Sequence, residues 1–290
     1  MATEVFRQIR SAVHQLNPGS VREAAERPLS VGLEASSSER LAAMEDFLAP
    51  PSLSRRRRLQ LFEGLHRLGD PGTPPNFDIV LSEEGLPEAP GAFPFYAGEP
   101  KRTVKAILRE RVDLSLPLAR RFPPFRQPVI HGIIQEVAQE NALFALFSAL
   151  PDVLPNVFAL GWAAAEFASD TAVLTVNQVR MAFLIAAASD RPVGFLDQKR
   201  QMASIVAGAF GWRAMARELA GKIPFGGGLI PKAAIAYAGT YVVGLGLERF
   251  YRIGYGMTPA ERDGVYKEAL ATGRRFAGLA LEARRSTTRS

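Results

Sequence analysis

The sequence predicts an α+β protein that is mostly α, with a small α/β region at the N-terminal end followed by an all-helical bundle. Two observations carry this. RPLSVGLEA, from Arg27 to Ala35, reads as a buried strand that enters a polar turn at Ser36, Ser37 and Ser38 and then a helix, the order of an α/β layer. Beyond Lys101 strand signals nearly vanish, and helical patterns alternate with proline breaks in RFPPFRQP, ALPDVLP and IPFGGGLIP. The expected division is residues 1–112 for the α/β region and 113–290 for the bundle.

The elements follow in order. MATEVFRQIRSAVHQL places Val5, Ile9, Ala12, Val13 and Leu16 on one helical side, and Asn17-Pro18-Gly19 stops that helix. It lacks an unbroken apolar run of signal-peptide type, so no export is expected. SERLAAMEDFL forms a helix ending near Ala49-Pro50-Pro51, and a second helix spans Ser54 to Leu68. DPGTPP leads into a strand in NFDIVLSE, and PFYAG adds an edge strand. VIHGIIQEVAQENALFALFSAL puts Val129, Ile133, Val137, Phe144 and Phe147 at helical spacings, with Gln135, Gln139 and Ser148 elsewhere. The last helix opens with Thr258 as N-cap, Pro259 at N1 and Glu261 at N3, a capping box. Arg284, Arg285 and Arg289 make a basic tail.

Composition excludes several functions. The 290 residues are 47% apolar, enough for a substantial core. Lys and Arg number 35 against 29 Asp and Glu, and the net charge of +6 is too small and too dispersed for a dedicated nucleic-acid binder. With no cysteine there is no disulfide, thiolate nucleophile or cysteine metal site.

Small residues recur four apart in the middle helices, among them Ala165, Ala182, Ala186, Ala207, Gly211, Ala236, Thr240 and Gly244, and such ridges let backbones approach closely. The longest uncharged run, Ala233 to Leu247, lies between Lys232 and Glu248 and falls short of the ~20 residues of a membrane span. Burial against neighbouring helices is the expected fate. A hairpin of Ile223 to Leu247 dipping into one leaflet, with Lys232 reaching the headgroups, is the alternative.

No motif announces catalysis. Lys222 follows Gly221, but a phosphate-binding loop needs glycine at Ala216 and a hydroxyl at Ile223. The strand-turn-helix around Gly32, Ser37 and Ser38, with Asp78 opening the second strand, matches the topology of a nucleotide site and lacks its lysine; a degenerate nucleotide fold is the alternative reading of this region. Glu63 and His66 supply one Glu-x-x-His step where a di-iron bundle needs two. Glu136 with Glu140, and Glu166 with Asp170, are i,i+4 carboxylate pairs that are expected to meet arginines such as Arg126 and Arg180. No cofactor or metal is assigned.

Arg55, Arg56, Arg57 and Arg58 are the one dense basic cluster and are assigned to contact with anionic lipid or an acidic partner, a solvated helix end being the plainer reading. Phe225, Leu229, Ile230 and Lys232 join them as contact residues.

The blocks LPLARRFPPFRQPVI, ENALFALFSALPDVLP, SDTAVLTVNQVRMAFLIAAASD and GAFGWRAMARELAGKIPFGGGLIPKAAIAYAGTYVVGLGLERFY together resemble an uncharacterised bacterial helical family, catalogued as a domain of unknown function, whose members often follow small Era-like GTPase domains. The resemblance covers about Leu114 to Tyr255. It implies an all-helical module linked to GTPases and, in some members, to the inner membrane, and it brings no catalytic residues with it. The chain departs from the GTPase-fused arrangement upstream, where the Gly-Lys-Ser/Thr loop and the guanine-reading tetrapeptide are missing. The sequence thus reads as a cytoplasmic, non-catalytic binding or regulatory module peripheral to the inner membrane, with a GTPase or another protein as partner. A degenerate nucleotide-binding protein and an integral membrane protein are the rival readings.

Overall fold

The structure is a computed structural model that describes Val13 and residues 16–87, 91–148, 170–205 and 229–287. The chain is α+β and mostly α, as the sequence predicts. Two compact units divide it: one holds residues 20–131 and 187–191, the other the described residues of 1–19, 132–186 and 192–290. The division falls beyond residue 112, inside a helix. Arg120 bonds Glu26 at 3.0 Å and Arg121 donates to the Gln60 carbonyl at 3.1 Å, so the segment after residue 112 is tied into the α/β unit.

Asn17-Pro18-Gly19 starts a helix that the sequence reading lacks, α1 (Pro18–Glu26). Asn17 Oδ1 accepts the Gly19 N–H at 2.9 Å, and Pro18 sits at the first helical position, where no donor is lost. Then come β1 (Val31–Glu34), α2 (Ser38–Leu48) and α3 (Arg55–Phe62), followed by β2 (Leu65–Arg67), β3 (Ile79–Glu83), β4 (Ala92–Phe95) and α4 (Pro100–Glu110). Ser37 and Ser54 cap α2 and α3, each accepting a backbone N–H at 3.3 Å.

All the pairings are parallel, in the order β2-β1-β3-β4. Val31, Gly32 and Leu33 are buried in succession, the mark of a strand covered on both faces. Met44 and Leu48 of α2, Ile79 and Leu81 of β3, and Val104 and Ile107 of α4 complete this core, and the Phe47 and Phe95 rings lie 5.2 Å apart.

Strand β2 corrects the helix expected through Leu68. Helix α3 ends at Phe62, and Leu65–Arg67 pair with Val31–Leu33. Gly64 makes this crossing possible: a Cβ there would lie 2.6 Å from the Leu29 carbonyl, and its own carbonyl accepts the Val31 N–H at 2.9 Å. The edge strand β4 begins two positions before the expected PFYAG.

After a 3-10 turn at Val112–Leu114 the described elements are helices: α5 (Ser115–Arg121), α6 (Pro123–Phe147), α7 (Asp170–Ala188), α8 (Leu229–Ile253) and α9 (Pro259–Thr287). Helix α6 starts earlier than expected and carries Pro128 within it, while Pro123 and Pro124 occupy its first turn at no cost in hydrogen bonds.

Helices α8 and α9 form an antiparallel pair. Arg249 meets Glu261 at 2.8 Å near the turn, and the Tyr237 and Phe276 rings face each other at 6.3 Å farther along. Their core is built largely of alanine: Ala138 and Ala142 of α6, Ala233 and Ala238 of α8, and Ala269 and Ala277 of α9. Backbones therefore approach closely. A Cβ on Gly244 would stand 2.7 Å from Ile134 Cγ1, and one on Gly273 would stand 2.8 Å from Tyr237 Cβ. Of the expected small-residue ridges, Ala186, Thr240 and Gly244 are buried and Ala236 is half-buried. Ala165, Ala207 and Gly211 lie outside the described residues, as do Lys222, Phe225 and the triple glycine.

Helix α8, at 25 residues, is longer than the uncharged run inside it and, with Thr171–Ala188 of α7, is long and apolar enough to cross a membrane. The α7 window is 83% buried within the fold and that of α8 50%. Lys232 and Glu248, which bound the uncharged run, are inside the helix rather than at its ends.

Candidate functional site

In an open parallel sheet, ligands bind outside the carboxyl ends of the strands where the strand order reverses, here between β1 and β3. The Ser36 backbone N–H, on the turn after β1, points at that place. It is filled by the chain itself. Glu83, the last residue of β3, accepts the Ser36 N–H at 2.8 Å and the Ser36 hydroxyl at 2.6 Å, and Arg40 of α2 stands 3.3 Å away. These contacts, the Ser36 hydroxyl first, hold the Glu83 carboxyl below the usual carboxylate range. Beside it Ser82 donates to Glu34 at 3.0 Å. A carboxylate thus occupies the position that an anionic ligand takes in nucleotide folds.

The residues expected for a degenerate nucleotide site do not converge. Ser37 and Ser38 are at this carboxyl edge. Gly32 is within β1, where a Cβ would press on Leu68 and Phe77 at 2.8 and 3.1 Å, so its small size serves packing. Asp78 precedes β3 at the opposite edge, where it accepts the Ser30 N–H at 2.9 Å and bridges Arg27 at 2.7 Å.

The arginine cluster divides. Arg55 and Arg56 are exposed. Arg57 bridges Asp190 at 2.6 Å, and Arg58 bridges Asp46 at 2.6 Å while donating to the Ala49 carbonyl at 3.0 Å. Two of the four proposed contact residues are therefore engaged within the fold. The same use of guanidinium recurs at helix ends, whose last carbonyls lack intrahelical donors. Arg120 reaches the carbonyls of Ala187 and Arg191, Arg121 those of Gln60 and Leu61, and Arg126 those of Ala119 and Arg120. Burial pushes the Arg126 pKa down, opposed by Asp190. Sequence reading missed this capping role because the carbonyls that Arg120 and Arg121 reach are 60 or more residues away in the chain.

The helical unit carries a buried polar seam that the sequence did not reveal as a set. Asn141 of α6 donates to Thr240 Oγ1 of α8 at 2.8 Å and accepts from Asn177 Nδ2 of α7 at 2.8 Å, and Gln178 of α7 donates to the same Thr240 oxygen at 3.2 Å. All four are buried. Thr240 was expected to be a small packing residue; it is also the acceptor that joins three helices.

Other candidate pairs find structural partners. Glu140 bridges Arg180 at 2.5 Å, as expected of an i,i+4 carboxylate beside an arginine, and Glu136 is exposed. Glu63 caps the end of α3 while His66 lies in β2 with its ring 5.9 Å from that of Phe77, so the Glu-x-x-His step shares no helix face. Among the described residues no group of three or more His, Asp or Glu is placed to hold a metal. An open cleft of about 410 Å³ beside β2 is lined by Glu45, His66, Arg67, Asp70 and Thr73, and Arg67 bridges Glu45 at 2.9 Å.

At the start of α8, Leu229 packs at the margin of the alanine core, Lys232 reaches Ser148 Oγ at 3.4 Å, and Ile230 is exposed. The other end of α8 is richer in exposed apolar surface. Phe250, Ile253 and the following Tyr255 are 37%, 38% and 61% exposed, beside the exposed Arg252.

Fold and site together define a small parallel α/β unit with a self-occupied switch point, joined to a polar-seamed helical bundle. No match to this chain is found among family models, curated proteins or solved structures.

Proposed function

We propose that this protein is a non-catalytic binding and regulatory module that works at the cytoplasmic face of the inner membrane. The observation that carries the membrane part is the exposed end of α8. An apolar 25-residue helix, half of it buried, ends in Phe250, Ile253 and Tyr255 beside Arg252, the mix of aromatic and basic side chains that sits at headgroup level. Glu83 on the turn after β1 supports the non-catalytic part. A GTPase as partner rests on the resemblance of residues 114–255 alone.

Fractionation tests the reading. A peripheral protein leaves the membrane in high salt or carbonate, whereas release by detergent alone would overturn it in favour of the integral reading, with which the length of α7 and α8 is compatible. Titration with GTP and ATP in the presence of Mg²⁺ tests the other half. The expected result is no saturable binding; binding abolished by substitution of Ser37 would make the protein a nucleotide binder.

A further inference from the structure

Helix α4 separates its residues sharply. Thr103, Val104 and Ile107 are buried against the sheet, and Lys101, Arg102, Lys105 and Arg109 are all exposed. Lys101, Lys105 and Arg109 are spaced i, i+4 and i+8, so they form one stripe about 12 Å long. This differs from the run of Arg55 to Arg58, whose consecutive positions point around the axis.

The stripe is held rigidly. Thr103 Oγ1 accepts the Tyr96 N–H and donates to the Pro94 carbonyl, both at 3.0 Å, which pins α4 to the edge strand β4. Arg102 lies 3.9 Å over the Tyr96 ring. The compensating acids sit at the two ends: Glu99 precedes the first turn, and Glu110 bridges Arg109 at 3.1 Å. Among the described residues Lys101 and Lys105 make no ion pair.

We propose that the Lys101-Lys105-Arg109 stripe of α4 is an electrostatic docking surface for an anionic lipid bilayer. A straight row of cations on one rigid helix suits a planar array of headgroups, and Val104 and Ile107 are turned into the core while Ala106 and Leu108 are half-buried, so contact is chiefly by charge. Nucleic acid is the less suited partner. The row presents no free aromatic platform, since Arg102 covers Tyr96, and the chain's net charge is +6. The proposal rests on the membrane reading above and adds the headgroup charge to it.

The test is partition of the full-length protein onto phosphatidylcholine vesicles with and without phosphatidylglycerol, for the native chain and for K101Q/K105Q/R109Q. Binding to neutral vesicles reports the apolar end of α8, and the increment on anionic vesicles reports the stripe, so the two readings fail separately. The increment is expected to fall about fivefold per charge, on the order of a hundredfold for the triple variant, and to shrink with added salt. Circular dichroism and melting of the variant, expected to match the native chain, check the fold. An unchanged increment overturns the proposal. So does tighter binding to a duplex oligonucleotide than to anionic vesicles, or release by inorganic phosphate but not by chloride at matched ionic strength, which would mark a discrete phosphate site.

Discussion

Thr240 Oγ1 on α8 lies 2.8 Å from the Asn141 amide nitrogen on α6, and both residues are buried. The same oxygen accepts from Gln178 on α7, so one hydroxyl fixes three helices in register. Helices whose core is mostly alanine have few large side chains to define that register by shape. Buried hydrogen bonds, which are costly to break, supply the definition.

Thr240→Val keeps the shape of the side chain and removes the acceptor. The amides of Asn141 and Gln178 lose their shared partner, and denaturant unfolding should show a loss of about 1–3 kcal/mol. Thr240→Ser keeps the oxygen and should recover most of it. Equal stability of the Val variant and the native protein would mean that the Thr240 acceptor contributes nothing.

Gly244 and Gly273 are close-approach positions, and Gly246 is not. An added Cβ at Gly246 would find Met257 Cε at 3.7 Å, ordinary contact, against 2.7 Å at Gly244 and 2.8 Å at Gly273. Gly244→Ala and Gly273→Ala should each destabilise by about 1–3 kcal/mol through overpacking. Gly246→Ala should gain up to about 1 kcal/mol from helix propensity. Thermal melting of the three variants side by side checks the sign at each position.

Arg120 spends its guanidinium on the carbonyls of Ala187 and Arg191 and on Glu26. Lysine has one charged nitrogen and cannot divide itself in this way. Arg120→Lys should therefore cost about 1–3 kcal/mol in chemical denaturation despite keeping the charge.

Glu261 carries an acid-sensitive part of the stability. Its carboxylate accepts the Thr258 N–H at 2.8 Å, pairs with Arg249 and receives the Thr258 hydroxyl at 2.9 Å, and these contacts lower its pKa from 4.5 to about 2. The folded value lies below the unfolded one. The contribution is therefore present above pH 4.5 and is lost as pH falls toward about 2. Glu261→Gln should reduce the pH dependence of the melting temperature across that window, and an unaltered acid profile would count against this account.

Much of the local structure was legible. The capping box at Thr258, Pro259 and Glu261 needs residues within one helical turn of one another, and it formed as read. The strand and helix around Ser36 to Ser38 were equally clear. Strand β2 was not, because three residues carry no period and the reason they extend is the approach of Gly64 to the distant Leu29 carbonyl. The candidate site was less legible. Gly32, Ser37, Ser38 and Asp78 had suggestive spacing, but parallel strands send residues before and after a strand to opposite edges of the sheet, which separates Asp78 from the serines.

Local sequence was enough for the mostly helical composition, the α/β start and the ends of the well-capped helices, because turns, caps and apolar periods act over a few residues. What the polar residues do emerges only from the packed fold. It placed Glu83 on Ser36, spent Arg57 and Arg58 inside the fold, and made Thr240 the common acceptor for Asn141 and Gln178. Such roles depend on which groups meet across the chain, and the energy of a buried charge or amide is set by the partner it finds.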